Sequence, residues 1–435
     1  MNPLAKSLNE VIEANNPHIL EMLSGVGKEM FMPKGILSQS AEAKVKATKF
    51  NATIGISTAK GEPMYLMSMY KRFQGILPKH LFTYAPAAGL PELRELWAAK
   101  IKSENPSLQN IQMSNPVVCN ALTNGLATAG ELFLNKGDFV VLPDKFWGNY
   151  RLMFSILIGA EIATYETFNA NNGYNVEGLL KTVKECGMKN KKVFVVLNFP
   201  NNPTGYTLTE DEAVKLSDGL VEIAESGINI IAVSDDAYFG LFFDDVLKES
   251  LFSKLAGRSE RLLAVKVDGI TKESFAWGFR VGFITFGETI KGDNSALFKA
   301  LETKATGYLR STISSAPHPS QSITVDVLKE PSFTEERSKL NAIIEERCKK
   351  VKSIFDKGLY ADEFTPYPFN SGYFMCIRLK NVDAETLRVA LLDKYGVGVI
   401  STNQTDIRIA FSSVDVENIE ELYSIIYQCC KSFTA

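Results

Sequence analysis

The chain has 435 residues, 45% of them hydrophobic, enough for a large core and for two or three domains. A net charge of −3, from 47 basic against 50 acidic side chains, leaves no basic stripe for nucleic acid and no acidic tail. Six cysteines without a C-x-x-C pair, beside only three histidines, argue against a zinc site.

The opening Met1-Asn-Pro-Leu-Ala-Lys lacks the basic start and apolar core of a secretory signal. No apolar run approaches membrane-spanning length, so the expected compartment is a reducing cytoplasm. Farther along, Leu90, Leu93, Trp97 and Ile101 recur at helical spacing until Asn105-Pro106 ends the segment, a stripe that reads as core packing.

The middle of the chain alternates strands and helices. Val193–Leu197, Ile228–Val233 and Leu262–Val267 are short, mostly apolar, β-branched-rich runs, the pattern of strands buried on both faces of a sheet. Between the first two, Thr209-Glu-Asp-Glu212 is a capping box that starts a helix, and Gly227 stops it. Toward the C-terminus, Asn381–Asp393 reads as a helix closed by Gly396, followed by strands Gly398–Ser401 and Ile407–Phe411. Cys429 and Cys430 fall on a last helix, where idle or buried thiols are expected.

Each of the three buried runs leads into a motif. After the first comes Asn198-Phe-Pro-Asn-Asn-Pro-Thr-Gly205, after the second Ser234-Asp-Asp-Ala-Tyr238, and after the third Thr271-Lys272, with Arg280 eight residues on. Singly, each has an ordinary reading: a lysine is a solvated charge and Asn-Pro-Thr-Gly is a turn. Ligands of open α/β sheets gather beyond the carboxyl ends of the strands, so three such loops can converge on one ligand.

In this order the motifs resemble those of the class I/II aminotransferases, the fold-type I enzymes that use pyridoxal 5'-phosphate. The likeness runs from about Asn51 to Phe411. It implies an α/β fold with a large domain, built on a mostly parallel central sheet flanked by helices, and a smaller α/β domain made from both chain ends. The expected division is 1–59 for the N-terminal segment and part of the small domain, 60–310 for the large cofactor-binding domain, and 311–435 for the C-terminal small domain.

The resemblance also implies roles. Lys272 is the Schiff-base partner and then the general base at the α-carbon. Asp235 faces the pyridine nitrogen, where an opposite charge favours the protonated ring. Asn202 and Tyr238 donate to the phenolic oxygen, and Arg280 binds the phosphate with its guanidinium fork. Phe146-Trp147-Gly148-Asn149-Tyr150 resembles the segment whose aromatic ring stacks on the cofactor, in a form like the aspartate aminotransferase branch; this selects Trp147. Tyr84, in Thr83-Tyr84-Ala-Pro-Ala-Ala-Gly89, resembles the tyrosine that reaches the partner subunit's phosphate, which implies a homodimer with shared sites.

Arg408, in Asp406-Ile-Arg-Ile-Ala-Phe411, resembles the clamp on the substrate α-carboxylate; a structural ion pair with an internal carboxylate is the alternative. Gly55-Ile-Ser57 resembles the loop that closes over the same group, which nominates Ser57. Arg310, followed by Ser311 to Pro317, lies where aspartate-type enzymes carry an arginine for the distal carboxylate; an exposed arginine without a ligand is the plain reading.

Two departures stand out. The Gly/Ser-rich phosphate loop is replaced by Asn120-Ala-Leu-Thr-Asn-Gly125, where the helix amides of Ala121 and Leu122 can still bind phosphate. Asp268-Gly-Ile-Thr271 occupies the place of phosphate-binding serines, leaving Thr271 or Thr123 as replacements. The expected activity is transfer of an amino group from an amino acid to a 2-oxo acid. The alternatives are a β-eliminating lyase, decarboxylase or synthase on the same scaffold, or a non-catalytic regulator that keeps the cofactor pocket.

Overall fold

The structure, a computed structural model, describes residues 1–31, 35–288 and 293–433. Its centre is a seven-stranded sheet made by Val117–Asn120 (β1), Phe139–Pro143 (β2), Glu161–Tyr165 (β3), Lys192–Asn198 (β4), Asn229–Asp235 (β5), Leu262–Gly269 (β6) and Val281–Gly287 (β7). The spatial order is β1-β7-β6-β5-β4-β2-β3. All neighbours are parallel except β7, which runs antiparallel to β1 and β6. The three expected runs therefore become β4, β5 and β6 at the middle of the sheet, where helices cover both faces and nearly every side chain is buried.

Helices connect and cover these strands. Pro91–Glu104 (α1) buries Leu93, Trp97 and Ile101, with Leu90 as its N-cap, so the apolar stripe is core as expected. Ala121–Phe133 (α2) follows β1 without a loop. Glu210–Glu225 (α3) starts at the capping box: Glu212 N donates to Thr209 Oγ1 at 3.2 Å, and Thr209 N donates to Glu212 Oε2 at 3.0 Å. After β6 the chain makes a single turn, Ile270–Glu273 (α4), that carries Lys272.

The chain ends meet in a second layer. Phe364–Pro366, Met375–Leu379, Ile400–Ser401 and Asp406–Ile409 form a four-stranded antiparallel sheet, backed by helices Phe333–Phe355 (α5) and Ile419–Lys431 (α6). The N-terminal Phe50–Asn51 pairs in parallel with Val397–Gly398, and Gln39 exchanges hydrogen bonds with Ser401. Expected boundaries shift slightly here. The helix read as starting at Asn381 spans Ala384–Tyr395, because Asp383 caps it by accepting from Thr386 N at 2.9 Å; Gly396 closes it in the left-handed conformation. The strand read through Phe411 stops at Ile409. A domain end at 310 would cut the continuous helix Ser295–Thr312.

The two layers are fastened at the Asn-Pro-Thr-Gly turn. The Gly205 carbonyl accepts from Asn370 N at 2.9 Å and Ser371 N at 3.0 Å, and Thr207 N donates to Asn370 Oδ1 at 2.7 Å. Gly205 has φ +73, and a Cβ there would sit 1.9 Å from the Phe374 carbonyl oxygen. Both conformation and space thus demand glycine. Gly240 shares the left-handed backbone (φ +84) but faces open space. In urea unfolding Gly240→Ala should cost about 1 kcal/mol from backbone strain alone, and Gly205→Ala about 3 kcal/mol or more from the added clash. Equal losses at the two positions would contradict the close-approach argument.

Candidate active site

Beyond the carboxyl ends of β4, β5 and β6 lies a cavity of about 290 Å³, between the central sheet and the C-terminal layer. Asn202, Asp235, Tyr238, Lys272, Arg280 and Arg408 all line it. Leu122, Trp147 and Gly55 also line it. Asn202, Asp235 and Lys272 meet there because consecutive parallel strands deliver their following loops to one edge, while Gly55 and Arg408 come in from the second layer.

Lys272 is held by its backbone. Its carbonyl accepts from the Tyr373 hydroxyl at 3.1 Å, while among the described residues its amine has no hydrogen-bond or ion-pair partner and lies 4.9 Å from the Tyr238 ring centre. Burial pulls the amine down to about 8; the Asp235 charge resists and the Arg280 charge assists. The lysine thereby becomes half neutral, and so nucleophilic, near pH 8 instead of 10.5.

Asp235 ends β5 with its side chain in the cavity. It accepts from the Tyr150 hydroxyl and, at 3.2 Å, from Ala237 N. Burial raises it to about 6, opposed by the Tyr150 hydrogen bond and by Lys272. Asp236 faces the other way, toward Lys266 and Ser250, as alternation along extended backbone requires. Asn198 organises the turn between them: its amide donates to the Asp235 carbonyl at 2.9 Å, and its oxygen accepts from Asn202 N at 2.8 Å.

Two arginines stand at the cavity without carboxylate partners among the described residues. Arg408, fully buried, donates to Asn202 Oδ1 at 3.1 Å and Thr53 O at 2.9 Å, with its guanidinium 4.1 Å from the Phe374 ring centre. Its Nε has no partner, so the internal ion pair weighed as the alternative is absent among the described residues. Arg280 donates only to Trp277 O, at 3.2 Å, and its backbone is left-handed (φ +56). Burial lowers both guanidinium groups from their ordinary value, yet arginine stays charged at any working pH.

The cavity wall holds two further orphan donors, Thr271 Oγ1 and Trp277 Nε1, both buried without a hydrogen-bond partner among the described residues. Leu122 and Thr123, in the first turn of α2, also line the cavity, whereas Ala121 lies just behind them with φ +61. A helix N-terminus, an unpaired arginine and orphan donors together fit a phosphate. With a reactive amine and a buried carboxylate beside them, the residues present fit pyridoxal phosphate.

The remaining expected residues lie elsewhere. Ser57 is buried against Tyr373 rather than on the cavity wall. Tyr84 is 90% exposed, and Arg310 is exposed with its guanidinium on Ser314 Oγ; within one chain neither reaches the cavity. Tyr150, Trp277 and Phe374 were not foreseen as site residues. Tyr150 stood inside the quoted aromatic segment, but only the fold reveals that its hydroxyl meets Asp235.

The family model for aminotransferases of class I and II matches residues 74–426. The chain belongs to this family. Curated relatives include the aspartate aminotransferase of Pyrococcus abyssi, 31% identical over 202 residues (46% of this chain and 48% of the relative). The probable aspartate/prephenate aminotransferase of Aquifex aeolicus is 29% identical over 256 residues, 58% of this chain and 60% of the relative. The matched stretch thus spans about half to three fifths of those relatives' length. Among solved structures, an aminotransferase from Anaerococcus prevotii superposes with a TM-score of 0.83 at 22% identity, covering 95% of this chain and 100% of that one. The cytoplasmic aspartate aminotransferase of Saccharomyces cerevisiae gives 0.77 at 20% identity, covering 96% and 100%. The fold is therefore that of the fold-type I aminotransferases.

The electrostatics of Lys272 are testable in the protein without cofactor. Its rate of capture by an aldehyde should rise with pH around a midpoint near 8 instead of the 10.5 of a free lysine, since only the neutral amine attacks. Asp235→Asn should move that midpoint lower, because it removes the charge that favours the ammonium form. A midpoint near 10.5, or one indifferent to Asp235, would contradict the description.

Proposed function

We propose that the protein is a pyridoxal-phosphate-dependent aminotransferase that moves an amino group from an amino acid to a 2-oxo acid in two half-reactions. The observation that carries this reading is one cavity holding a partner-free lysine amine, a buried carboxylate, and two arginines without carboxylates. Pyridoxal phosphate supplies an aldehyde that an amine can capture and a ring that accepts an electron pair from the α-carbon.

The chain's own residues do the rest. Above about pH 6 Asp235 is ionised and would hold a proton at the ring nitrogen of the cofactor, with Tyr150 fixing the carboxylate's orientation. Asn202 and Tyr238 would donate to the phenolic oxygen, and Trp147 would cover the ring. Arg280, Thr271, Trp277 and the first-turn amides at Ala121 and Leu122 hold the phosphate. Arg408 clamps the substrate α-carboxylate, while Ser57 shapes the loop over it. The Lys272 amine would take the α-proton and return it at the neighbouring carbon, a transfer its value of about 8 suits.

The active unit in this reading is a homodimer. An exposed strip of Tyr65, Tyr70, Phe73, Leu77, Phe82 and Tyr84 supports it, since apolar patches of that kind mark protein interfaces. Docking of a second copy there would bring Tyr84 to the partner's phosphate and Arg310 to the partner's substrate. A dicarboxylic substrate, aspartate or glutamate, fits an arginine in that position and agrees with the names of the relatives above. A reducing, cytoplasmic location suits six buried free thiols. The division into a large domain at 60–310 with flanking small-domain parts follows, its C-terminal limit moved past Thr312 to keep the helix whole.

Two experiments test this. The purified protein titrated with pyridoxal phosphate should develop a visible absorption band that Lys272→Ala abolishes; a wild type that stays colourless and binds none would overturn the reading. Second, aspartate or glutamate should be used better than alanine or phenylalanine, and Arg310→Ala should cost dicarboxylates about 2–3 kcal/mol in kcat/KM while sparing monocarboxylates. A uniform loss across substrates would remove Arg310 from specificity.

A further inference from the structure

Behind the cavity, on the side facing away from it, lies a buried charge network. Asp235 and Lys272 are each followed in the chain by a buried carboxylate pointing rearward: Asp236 and Glu273, 4% and 3% exposed. A lysine grips each of them. Lys266, on β6 and 1% exposed, pairs with Asp236 and lies 3.3 Å from Asp268, whose other oxygen accepts from Trp97 Nε1 at 3.0 Å. Lys100, on α1, places its amine 3.0 Å from one Glu273 oxygen and 3.2 Å from the other. Its amine lies 4.6 Å from the Trp97 ring centre and 6.0 Å from that of Phe239, which Lys266 also faces at 4.7 Å. Glu104 completes the chain of charges, pairing with both Lys100 and Arg337 of α5.

The network matters because of what Lys272 lacks. Its amine has no partner among the described residues, so its aim is set by the backbone of α4, a turn of four residues. On the cavity side that turn is held by the Tyr373 hydroxyl on the Lys272 carbonyl. On the rear side its hold is Glu273, the next residue. Breaking a buried pair by removing one partner leaves an uncompensated charge, so such a pair resists rearrangement. Displacement of a reacting group by about 1 Å can cost as much as a hundredfold in rate.

We propose that Glu273, gripped by Lys100, is a positioning residue that fixes the α4 turn and thereby aims the Lys272 amine into the cavity. This rests on the aminotransferase reading and deepens it. Glu273 touches neither cofactor nor substrate; it acts through the residue before it. The Lys266–Asp236 pair holds the loop after Asp235 in the same manner, from the same ring of Phe239.

The test separates capture from binding. Pyridoxal phosphate must be attacked by Lys272, whereas pyridoxamine phosphate, which has no aldehyde, binds through contacts alone. In Glu273→Gln the rate of covalent capture, followed by absorbance and by borohydride reduction with peptide mapping, should fall about tenfold, while the Kd for pyridoxamine phosphate changes less than about threefold. Lys100→Met should act likewise, and the double variant should be no slower than the slower single one, because the two changes break one pair. Glu273→Asp, which keeps the charge, should recover part of the rate. Capture at the wild-type rate in Glu273→Gln, or a loss of pyridoxamine phosphate binding by the same factor as capture, would overturn the proposal. If Glu273→Gln does not fold, Lys100→Met read by the same two measurements decides it. A wild type that captures nothing at Lys272 would instead overturn the functional reading itself.

Discussion

Three cations and a single carboxylate enclosed around one cavity set the terms for the rest of this molecule. Lysine can give up its proton, and burial, with a smaller push from the Arg280 charge, takes Lys272 part of the way, down to about 8. The arginines cannot. With no internal carboxylate beside Arg280 or Arg408 among the described residues, an anionic ligand group at each arginine would balance the charge. A phosphate at one end and a carboxylate at the other meet that demand, and they fix the direction in which a ligand between them must lie, with Lys272 and Asp235 along its length.

The scaffold makes this arrangement tolerable. Buried charges need rigid surroundings, and the loops carrying Asn202, Asp235 and Lys272 leave three adjacent central strands whose side chains are nearly all buried. The Gly205 carbonyl joins the first loop to the C-terminal layer, and Tyr373 from the same layer reaches the Lys272 carbonyl. Arg408 bridges both layers through Asn202. The cavity is thus a seam between two layers, and any shift between them changes the distance from Arg408 to Lys272.

Much of this was legible in the chain itself. Buried parallel strands announce themselves as unbroken apolar runs, so β4, β5 and β6 were found within a residue or two, and the motifs behind them had only one edge of the sheet to occupy. Capping chemistry is equally local, which is why Thr209 and Gly227 marked the ends of α3. What escaped depends on long-range contact. Lys266 breaks an apolar strand, yet nothing nearby reveals that Asp236 and Asp268 neutralise it. Tyr150 precedes a π-helical stretch, Arg151–Leu157, and its bond to Asp235 joins residues 85 apart. Strands β1, β2, β3 and β7 lie outside the runs named from the sequence, β3 because its side chains at the sheet edge are mostly half-exposed and blur the buried pattern. Tyr84 and Arg310 are nominated by resemblance alone, and in the folded chain both are exposed away from the cavity.

The claim that the cavity is polarised between two anion-seeking ends has a direct test in a crystal structure of the protein with pyridoxamine phosphate bound. The phosphate should lie within hydrogen-bonding distance of Arg280 and the first turn of α2, the ring nitrogen should face Asp235, and Arg408 should be left open to a carboxylate. A phosphate seated on Arg408, or a ring nitrogen turned away from Asp235, would contradict it.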